Sequence, residues 1–342
     1  MGNAFTAVAD NHDAIYYNVA GLNKIDGMYL TFMDPYFGIN DITEIQDALE
    51  ESDGSTGDDF ADFIREIYGQ NIWAVAGAKA GITMKNFSLH YYDQGELNAY
   101  MTNPAFPTLE LTFKNDIGFH LGLAYELVPN FAMGIGVRSI SRTGGTYDVS
   151  VETLEDLDSD TIKDEITREG VGYGVDLGFM YTIKGASATS SIGFSMHNVG
   201  DIAFRTGAGK EPPTSEKSYT SLGLATQFDL PLITIIPALD YKFIDRNDID
   251  IGKKLDLGLE IDFPLLTVRG GLHHGYYTYG ATVDLAFLQI DLASYSEELG
   301  AYPGQLEDRR YLAQIKIELG LDANFNIFTL DKNNRKKLKQ RR

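Results

Sequence analysis

Strict alternation of apolar and polar residues over long stretches is the feature that most constrains this chain. In VGYGVDLGFMYTIK, residues 171–184, every second side chain is aliphatic or aromatic, and the positions between carry mostly glycine or polar residues. The same period of two runs through 109–127, 255–263 and 311–319. Because successive side chains of a β-strand point to opposite faces, each segment is predicted to be a strand with one apolar face.

Two all-β architectures produce this pattern, a water-soluble sandwich and a transmembrane barrel. The predicted strands commonly have about 10 to 15 residues, whereas strands of soluble proteins usually have about 5–6. Aromatic residues stand near the ends of the apolar faces, as in the interfacial girdles of outer-membrane barrels; they are Tyr173, Tyr181, Tyr241, Phe243, Tyr277, Tyr279 and Tyr311. The polar faces mix glycine with acids and bases, which suits a wet or plugged lumen. The pattern favours a barrel surrounded by outer-membrane lipid.

The predicted connections support the same plan. We predict fourteen strands, at residues 27–37, 71–82, 86–92, 108–127, 131–143, 170–184, 187–199, 217–230, 232–245, 253–263, 265–274, 277–286, 288–296 and 309–320. Alternate connections are short, and the others are mostly long, at 38–70, 93–107, 144–169, 200–216, 246–252 and 297–308. The connection at Tyr276 is short where a long one is expected. Short turns at one rim and long loops at the other are typical of outer-membrane barrels and place both termini in the periplasm.

Composition excludes several classes of function. The 342 residues include no cysteine and carry a formal net charge of −21. Thiolate metal sites and thiol catalysis are therefore excluded, and a nucleic-acid partner is not expected. The sequence has neither an apolar run long enough for a transmembrane helix nor a recognisable leader after Met1. Because the predicted apolar surface would not stay soluble in the cytoplasm, we expect the numbering to begin after a removed leader.

Charge is concentrated in two predicted loops and in the tail. Residues 41–66 contain ten acids and one base, and residues 148–169 contain nine acids and two bases. A solvated extracellular cap is the favoured interpretation, and a cation or partner site is the alternative. The tail, 322–342, ends in KNNRKKLKQRR, with seven basic residues in eleven. A solvated terminus and an anchor for an acidic periplasmic partner are equal alternatives; the candidate anchor residues are Lys332, Arg335, Lys336, Lys337 and Arg341.

Catalytic and metal sites have little support in the sequence. Ser195, His197 and Asn198 come closest to a nucleophile beside its base, but their register lines the lumen. His273 and His274 are adjacent on a predicted strand, so they are expected to point to opposite faces and not to share a metal. Residues 156–167 imitate a calcium loop but lack its glycine and its final glutamate. We therefore expect no enzyme, no resident metal and no cofactor.

The segment AFTAVADNHDAIYYNVAGL, residues 4–22, alternates poorly and is too short for a membrane helix. It resembles the region near the mature N-terminus of the FadL-like outer-membrane barrels, a superfamily that includes fatty-acid and hydrocarbon channels and the PorV component of type IX secretion. The shared pattern is a run of small residues, a pair of acids, and Asn-Pro-Ala-Gly-Leu or a close variant. Matching positions are Ala7, Ala9, Asp10, Asp13, Ala14, Asn18, Ala20, Gly21 and Leu22, and Val19 stands where the family usually has proline.

The resemblance implies a fourteen-stranded barrel, here residues 25–321, with an N-terminal hatch, residues 1–24, folded into its lumen. The implied hatch residues are Asp10, Asp13, Asn18, Val19, Ala20 and Gly21. The lumen is expected to be lined by Lys114, Asp116, His120, Arg138, Asp176, Lys242, Glu260, Arg269 and Lys316, with lumenal bases bonded to the hatch. The family's lateral exit lies at a kink in the third strand, and the predicted break at Asp93-Gln94-Gly95 makes Asp93 and Gly95 the candidate lateral gate.

Two functions remain open at this point. The first is a hatch-gated channel for small hydrophobic molecules, with a hydrophobic small-molecule ligand. The second is a PorV-like barrel that does not transport but anchors a periplasmic or surface protein, as its polar lumen, acidic loops and basic tail would allow. An acidic outer cap would repel anionic fatty acids, so a neutral ligand fits the first function better.

Overall fold

Residues 1–41, 43, 71–102, 108–150, 167–208, 210–285 and 287–321 are described by a computed structural model of the chain. Fourteen antiparallel strands form a closed barrel in which sequence neighbours pair and the first strand pairs with the last. The strands are β1 Met28–Asn40, β2 Asn71–Met84, β3 Phe87–Thr102, β4 Thr108–Val128, β5 Phe131–Ser150, β6 Glu169–Lys184, β7 Ala188–His197, β8 Tyr219–Asp229, β9 Thr234–Tyr241, β10 Leu255–Asp262, β11 Leu266–His273, β12 Tyr276–Leu285, β13 Leu288–Glu298 and β14 Glu307–Leu321. The predicted all-β, fourteen-stranded antiparallel barrel is confirmed.

The alternation in the sequence separates the two faces of the wall. Along β6 the side chains alternate between exposed and buried, so Tyr173 is 66% exposed on the outer face while Asp176 is buried on the inner face. Large apolar side chains elsewhere in the wall, among them Phe119, Leu259 and Ile315, are similarly exposed. An apolar outer face is what lipid around a barrel requires. Within the described residues, none of the helices combines the length and the apolar character needed to span a bilayer.

The third strand differs most from its prediction. It was expected to end at residue 92, but β3 runs to Thr102, and Asp93 to Gly95 pair without interruption with both β2 and β4. The predicted break is therefore wrong. Backbone hydrogen bonds to two neighbouring strands hold this polar segment extended, whatever its side chains. For the same reason β1 and β5 extend beyond their predicted ends, to Asn40 and Ser150, and the loops predicted there are shorter.

Much of both acidic loops and the whole basic tail lie outside the described residues, so the predictions made for them remain predictions. The same holds for most of the calcium-like segment.

One bulge interrupts the wall in β1. The pairing register shifts between Thr31 and Met33 against β14, and between Thr31 and Asp34 against β2. Phe32 and Met33 are both exposed on the outer face, and Asp34 turns inward and is fully buried. A bulge inserts an extra residue and so changes which face the next side chain reaches. Here it delivers a carboxylate into the lumen.

Turns at the two rims differ in length, as predicted. At one rim Asn86 and Asn130 make tight turns with positive φ of 67° and 68°, a conformation that asparagine adopts more readily than most residues. The other rim carries longer segments, including 242–254 and 299–306. Between β11 and β12 this long-loop rim has a two-residue turn, His274-Gly275, with φ of 50° and 86°. The connection predicted at Tyr276 therefore lies at His274-Gly275.

Candidate functional site in the barrel lumen

Residues 1–25, which we call the plug, lie inside the barrel. Ala4, Ile15 and Leu22 are each fully buried. The backbone amides of Phe5 and Thr6 both donate to Asp240 Oδ2 on β9, at 2.9 Å each. The segment thus satisfies its irregular backbone inside the wall, where lipid cannot reach it.

Glycines of the inner wall make room for the plug. A Cβ added at Gly134 of β5 would lie 2.5 Å from the Ala20 nitrogen, and one at Gly271 of β11 would lie 2.7 Å from the Gly2 nitrogen. On β8, Gly223 similarly lies against the backbone of Ala7. Since Cβ atoms do not approach backbone atoms this closely, only glycine fits at these positions. The inner-face glycines, interpreted from sequence as features of a wet or plugged lumen, form the surface on which the plug packs.

Two short helices shape the second half of the plug. The helix α1, Ala14–Tyr17, is followed by a 3₁₀-helix, Val19–Lys24, and Asn18 between them is extended, with φ −158° and ψ 103°. The Asn18 side chain accepts from the Ala20 amide at 3.2 Å and donates to the Thr6 carbonyl at 3.0 Å. It also donates to the Phe179 carbonyl of β6. This one amide side chain therefore links both halves of the plug to the wall.

Small residues allow the two halves of the plug to meet. Gly21 lies so close to Ala9 that any Cβ at position 21 would overlap the Ala9 carbonyl. Val19 and Ala20 are buried beside Ala9 in one apolar cluster with inner-face residues of the wall. The small residues of the N-terminal motif are therefore needed for packing inside a narrow lumen.

The charged contacts of the plug differ from those expected. Asp13 pairs with Lys79 of β2 at 3.4 Å. The lumenal bases expected to bond to the plug were instead Lys114, Arg138, Lys242, Arg269 and Lys316. Lys316 Nζ donates to His12 Nδ1 at 3.3 Å, and Lys242 Nζ donates to the Asn3 carbonyl at 2.7 Å. Two of the expected bases do reach the plug, but they bind an imidazole and a carbonyl oxygen.

Lys79 was missed because it stands among small residues in AGAKAGI. Its place in the period of two, on the inner face of β2, was the only signal for it.

Burial controls the protonation of His12. The imidazole is 7% exposed, and this burial lowers its pKa well below the usual value, an effect that Asp13 opposes and Lys316 reinforces. His12 is therefore neutral at neutral pH, which lets its Nδ1 accept the hydrogen bond from Lys316.

A second group of charges covers the inner face of β4, β5 and β6. Arg142 forms a bidentate pair with Asp116, at 2.7 Å for each bond, and also contacts Glu216. Arg138 lies 3.2 Å from Asp176, which lies 3.3 Å from His120. The residues predicted to line the lumen are joined to one another or to the plug by contacts of this kind: Lys114, Asp116, His120, Arg138, Asp176, Lys242, Glu260, Arg269 and Lys316. Arg142 and Glu216, which complete this cluster, were not singled out from the sequence.

Cavities lie on both sides of the plug. Toward the short-turn rim, a cavity of about 300 Å³ is lined by Asp10, Lys24 and Lys184, among others. Toward the long loops, three cavities of about 480, 450 and 430 Å³ adjoin one another, since each shares Gln314 with the others. Their walls combine charged side chains with tyrosine rings, which are Tyr16, Tyr17, Tyr36, Tyr92, Tyr219 and Tyr295. The plug thus separates two sets of lumenal spaces.

The candidate nucleophile lies under the plug. Ser195 Oγ is 3.0 Å from His197 Nε2, and Asp176 Oδ1 is 3.7 Å from His197 Nδ1. His197 Nε2 is also 3.1 Å from the carbonyl oxygen of Tyr17. A ring nitrogen that faces a carbonyl carries the hydrogen, so Nε2 is a donor here and cannot accept the serine proton. The group therefore holds the plug in place and does not activate a nucleophile.

Comparison with known proteins gives likenesses to solved structures alone; no family model and no curated protein matches. The chain is similar to the toluene transporter TodX of Pseudomonas putida, with 10% identity, 93% of this chain and 95% of that chain covered, and a TM-score of 0.44. It is similar to the toluene transporter TbuX of Ralstonia pickettii, with 10% identity, coverage of 91% and 94%, and a TM-score of 0.46. It is also similar to the outer membrane phospholipase A of Escherichia coli, with 11% identity, coverage of 91% and 98%, and a TM-score of 0.36.

Proposed function

We propose that this chain is a gated outer-membrane channel for small, largely apolar molecules, and that the plug is its hatch. The observation that carries the proposal is the position of residues 1–25 between the two sets of cavities. The exposed apolar outer face supports a place in lipid, and the N-terminal motif supports the likeness to FadL-like barrels. The short-turn rim, with both ends of the barrel sequence, would face the periplasm.

The way the plug is held is compatible with its movement. It is fixed by hydrogen bonds, by the ion pair between Asp13 and Lys79, and by small side chains packed on glycine. Its covalent connection to the wall is the short link before Met28, which contains Gly27 with φ of 86°. A hinge of this kind lets a segment leave the lumen while it stays tethered to β1.

The cavity lining suggests the ligand. Tyrosine rings present flat apolar surfaces and a hydroxyl, and Lys79, Lys114 and Arg138 supply positive charge beside them. Aromatic faces stack on apolar rings, while the polar groups fix orientation. A neutral molecule with an apolar body and one polar group matches this lining best. Lateral exit at Asp93 and Gly95 stays a prediction, and from this conformation it would require the continuous ladder of β3 to open.

Flux through the purified protein tests the proposal. The full chain and a variant lacking residues 1–24 would be placed in liposomes, and uptake of a small neutral hydrophobic dye would be measured. We expect faster uptake without the plug. Heat-modifiable migration on gels confirms that each barrel is folded. If both folded proteins leave uptake at the level of empty liposomes, the channel proposal fails.

A reversible lock tests whether movement of the plug is the gating step. The chain has no cysteine, and Ala7 of the plug packs in one cluster with Ala225 of the wall. In the double variant Ala7→Cys, Ala225→Cys, oxidation should stop the flux and a reductant should restore it. The two single-cysteine variants are matched controls. Unchanged flux in a fully oxidised double variant would show that the plug does not gate.

The alternative function is a barrel that anchors a partner protein without transport. The paired charges of the lumen favour it, because a channel for apolar molecules gains little from Arg142, Asp116 and Glu216. The basic residues Lys332, Arg335, Lys336, Lys337 and Arg341 would then hold the partner. Loss of a co-purified periplasmic protein on deletion of 332–342, together with absence of flux, would favour this function.

A further inference from the structure

His273, His274 and Glu297 form a cluster at the long-loop rim that the proposed channel does not use. Each residue offers one ligand atom, and these atoms lie within 4.8 Å of one another. From sequence the two histidines were expected to point to opposite faces. That expectation is wrong because β11 ends at His273 and the positive φ of His274, 50°, turns its ring back. The two rings stack with centroids 3.9 Å apart.

The two nitrogens of His273 face two different carboxylates. Its Nδ1 lies 2.6 Å from Asp256 Oδ1 on β10. Its Nε2 lies 3.3 Å from Glu297 Oε1, so a proton or a metal ion can join this nitrogen to the carboxylate while Asp256 holds the hydrogen of Nδ1. A carboxylate that holds one nitrogen of an imidazole while the other faces a cation is the usual support for a metal-binding histidine.

His274 presents a second lone pair to the same carboxylate. The backbone amide of Glu298 lies 3.3 Å from His274 Nδ1, and a metal ion bound to this nitrogen would displace that long contact, because the nitrogen has one lone pair. The same nitrogen lies 3.1 Å from Glu297 Oε2. A proton or a metal ion can join this nitrogen to the carboxylate. One metal ion bound by the three side chains would take the place of the protons that otherwise join Glu297 to His273 and His274.

The distances suit a transition metal. For metal–ligand bonds of about 2.0–2.2 Å, neighbouring ligands of a tetrahedral zinc ion lie about 3.3–3.5 Å apart. The nitrogen–oxygen separations are 3.3 Å to one oxygen of Glu297 and 3.1 Å to the other. The three ligand atoms lie within 4.8 Å of one another, so the side chains would draw together to close on the ion. Two imidazoles and one carboxylate favour Zn²⁺ over Ca²⁺ or Mg²⁺, which prefer oxygen ligands.

The surrounding rim holds the cluster in position. Next to Glu297, the carboxylate of Glu298 accepts from the backbone amides of Gly300 and Leu306 and from the Tyr276 hydroxyl, at 2.6 to 2.8 Å. Lys253 also donates to the Glu298 carbonyl, at 2.7 Å. Fixed supporting contacts are what a site needs to bind a metal without reorganising. The side chain of Glu297 is 27% exposed, so an ion can reach it.

We propose that His273, His274 and Glu297 bind a divalent transition metal ion, with Zn²⁺ as the best-fitting ion and Asp256 as the positioning residue for His273. Three protein ligands leave a fourth position for water or another ligand. His273 and Glu297 also line the cavity of about 480 Å³ on the long-loop side of the plug. The metal would therefore lie at the entrance to the lumenal space and join the β11–β12 turn to the end of β13.

Zinc binding to the intact chain in detergent tests the proposal. We expect one Zn²⁺ per chain to remain after gel filtration at micromolar protein, and Ca²⁺ not to compete. The variants His274→Gln and Glu297→Gln should bind at least about 100-fold more weakly, and Asp256→Asn about 10- to 100-fold more weakly. Glu307→Gln, which removes a carboxylate from the same rim, is the matched control and should bind as the natural chain does.

Two readouts keep the test decisive. Co²⁺ in place of Zn²⁺ should give the intense visible absorption of a tetrahedral ion, and Zn²⁺ should protect His273 and His274 of the natural chain from diethyl pyrocarbonate, as mapped by mass spectrometry. The second measurement needs no variant and so does not depend on variant folding. Substoichiometric Zn²⁺, equal affinity in folded His274→Gln, or unprotected histidines would each overturn the proposal.

Discussion

Replacement of one wall glycine should loosen the plug without disturbing the barrel. In Gly134→Ala, the new Cβ would lie 2.5 Å from both the Ala20 nitrogen and the Val19 carbonyl carbon. Both are backbone atoms, so no side-chain rotation relieves the overlap. Overpacking of this kind usually costs about 1–3 kcal/mol. Because the wall is held by two continuous ladders at this position, we expect the plug to move and not the strand.

The expected size of the effect follows from that cost. A factor of ten in an equilibrium corresponds to about 1.4 kcal/mol, so the plug-out population should rise about 5- to 150-fold. While the plugged form remains in the majority, dye flux into liposomes should rise by the same factor. Gly280→Ala is the matched control, because its Cβ would meet nothing closer than the Leu292 carbonyl at 3.4 Å. Gly280 also lines the lumen, in a cavity of the long-loop side.

The measurement compares initial dye uptake for the two variants and the natural chain, at equal amounts of folded barrel. Protease accessibility of residues 1–24 in the same liposomes reports the plug itself. If folded Gly134→Ala shows the flux and the protease resistance of Gly280→Ala, the glycine surface does not hold the plug and the reasoning is refuted.

Three further results are expected. In Val19→Pro the plug should keep its place, and flux should change less than about threefold. Asn18 is extended, as a residue before proline prefers, and position 19 is the first residue of a helix, where proline is tolerated. A large increase in the protease accessibility of the plug would contradict this. Asp240→Ala should raise flux about 5- to 150-fold, since loss of the acceptor for the amides of Phe5 and Thr6 costs about 1–3 kcal/mol. Flux at the natural level would show that these bonds do not hold the plug. Because burial lowers the pKa of His12 in the plugged form, the plugged form loses stability as pH falls below the ordinary value of about 6.5. Flux should therefore rise between pH 7.5 and 5.5, and His12→Gln should reduce that rise; an equal rise in the variant would assign it to another group.

The sequence predicted the wall better than it predicted the contents of the lumen. Alternation with a period of two arises because one face of each strand meets lipid and the other faces a polar lumen. It therefore located most of the strand segments that lie in an apolar environment. It failed at Asp93 and Gly95, where the strand continues through backbone pairing and its side chains carry no such signal.

Inside the lumen, the contact partners of each side chain depend on how the irregular plug crosses the barrel. Local sequence patterns do not encode that path. Alternation located Lys114 and Asp116 on the inner face, but it could not pair Asp13 with Lys79. At His274 a single positive φ ended the alternation, and two side chains expected on opposite faces came together. The resemblance of the N-terminal motif implied a segment inside the lumen. The wall glycines that pack against this segment could be recognised in the sequence only as small residues on the polar faces of the strands.

The path of the plug also has a mechanical consequence for the wall. From the contact of Leu22 with Gly122 on β4 to that of Gly2 with Gly271 on β11, one segment touches the inner side of the barrel from one flank to the other. It therefore acts as an internal strut that sets the distance between opposite strands. Departure of the plug would do more than clear a passage, because an unbraced barrel is free to change the shape of its cross-section. The diameter of the pore and the stiffness of the wall should then change together, so the open barrel should be more deformable than the plugged one.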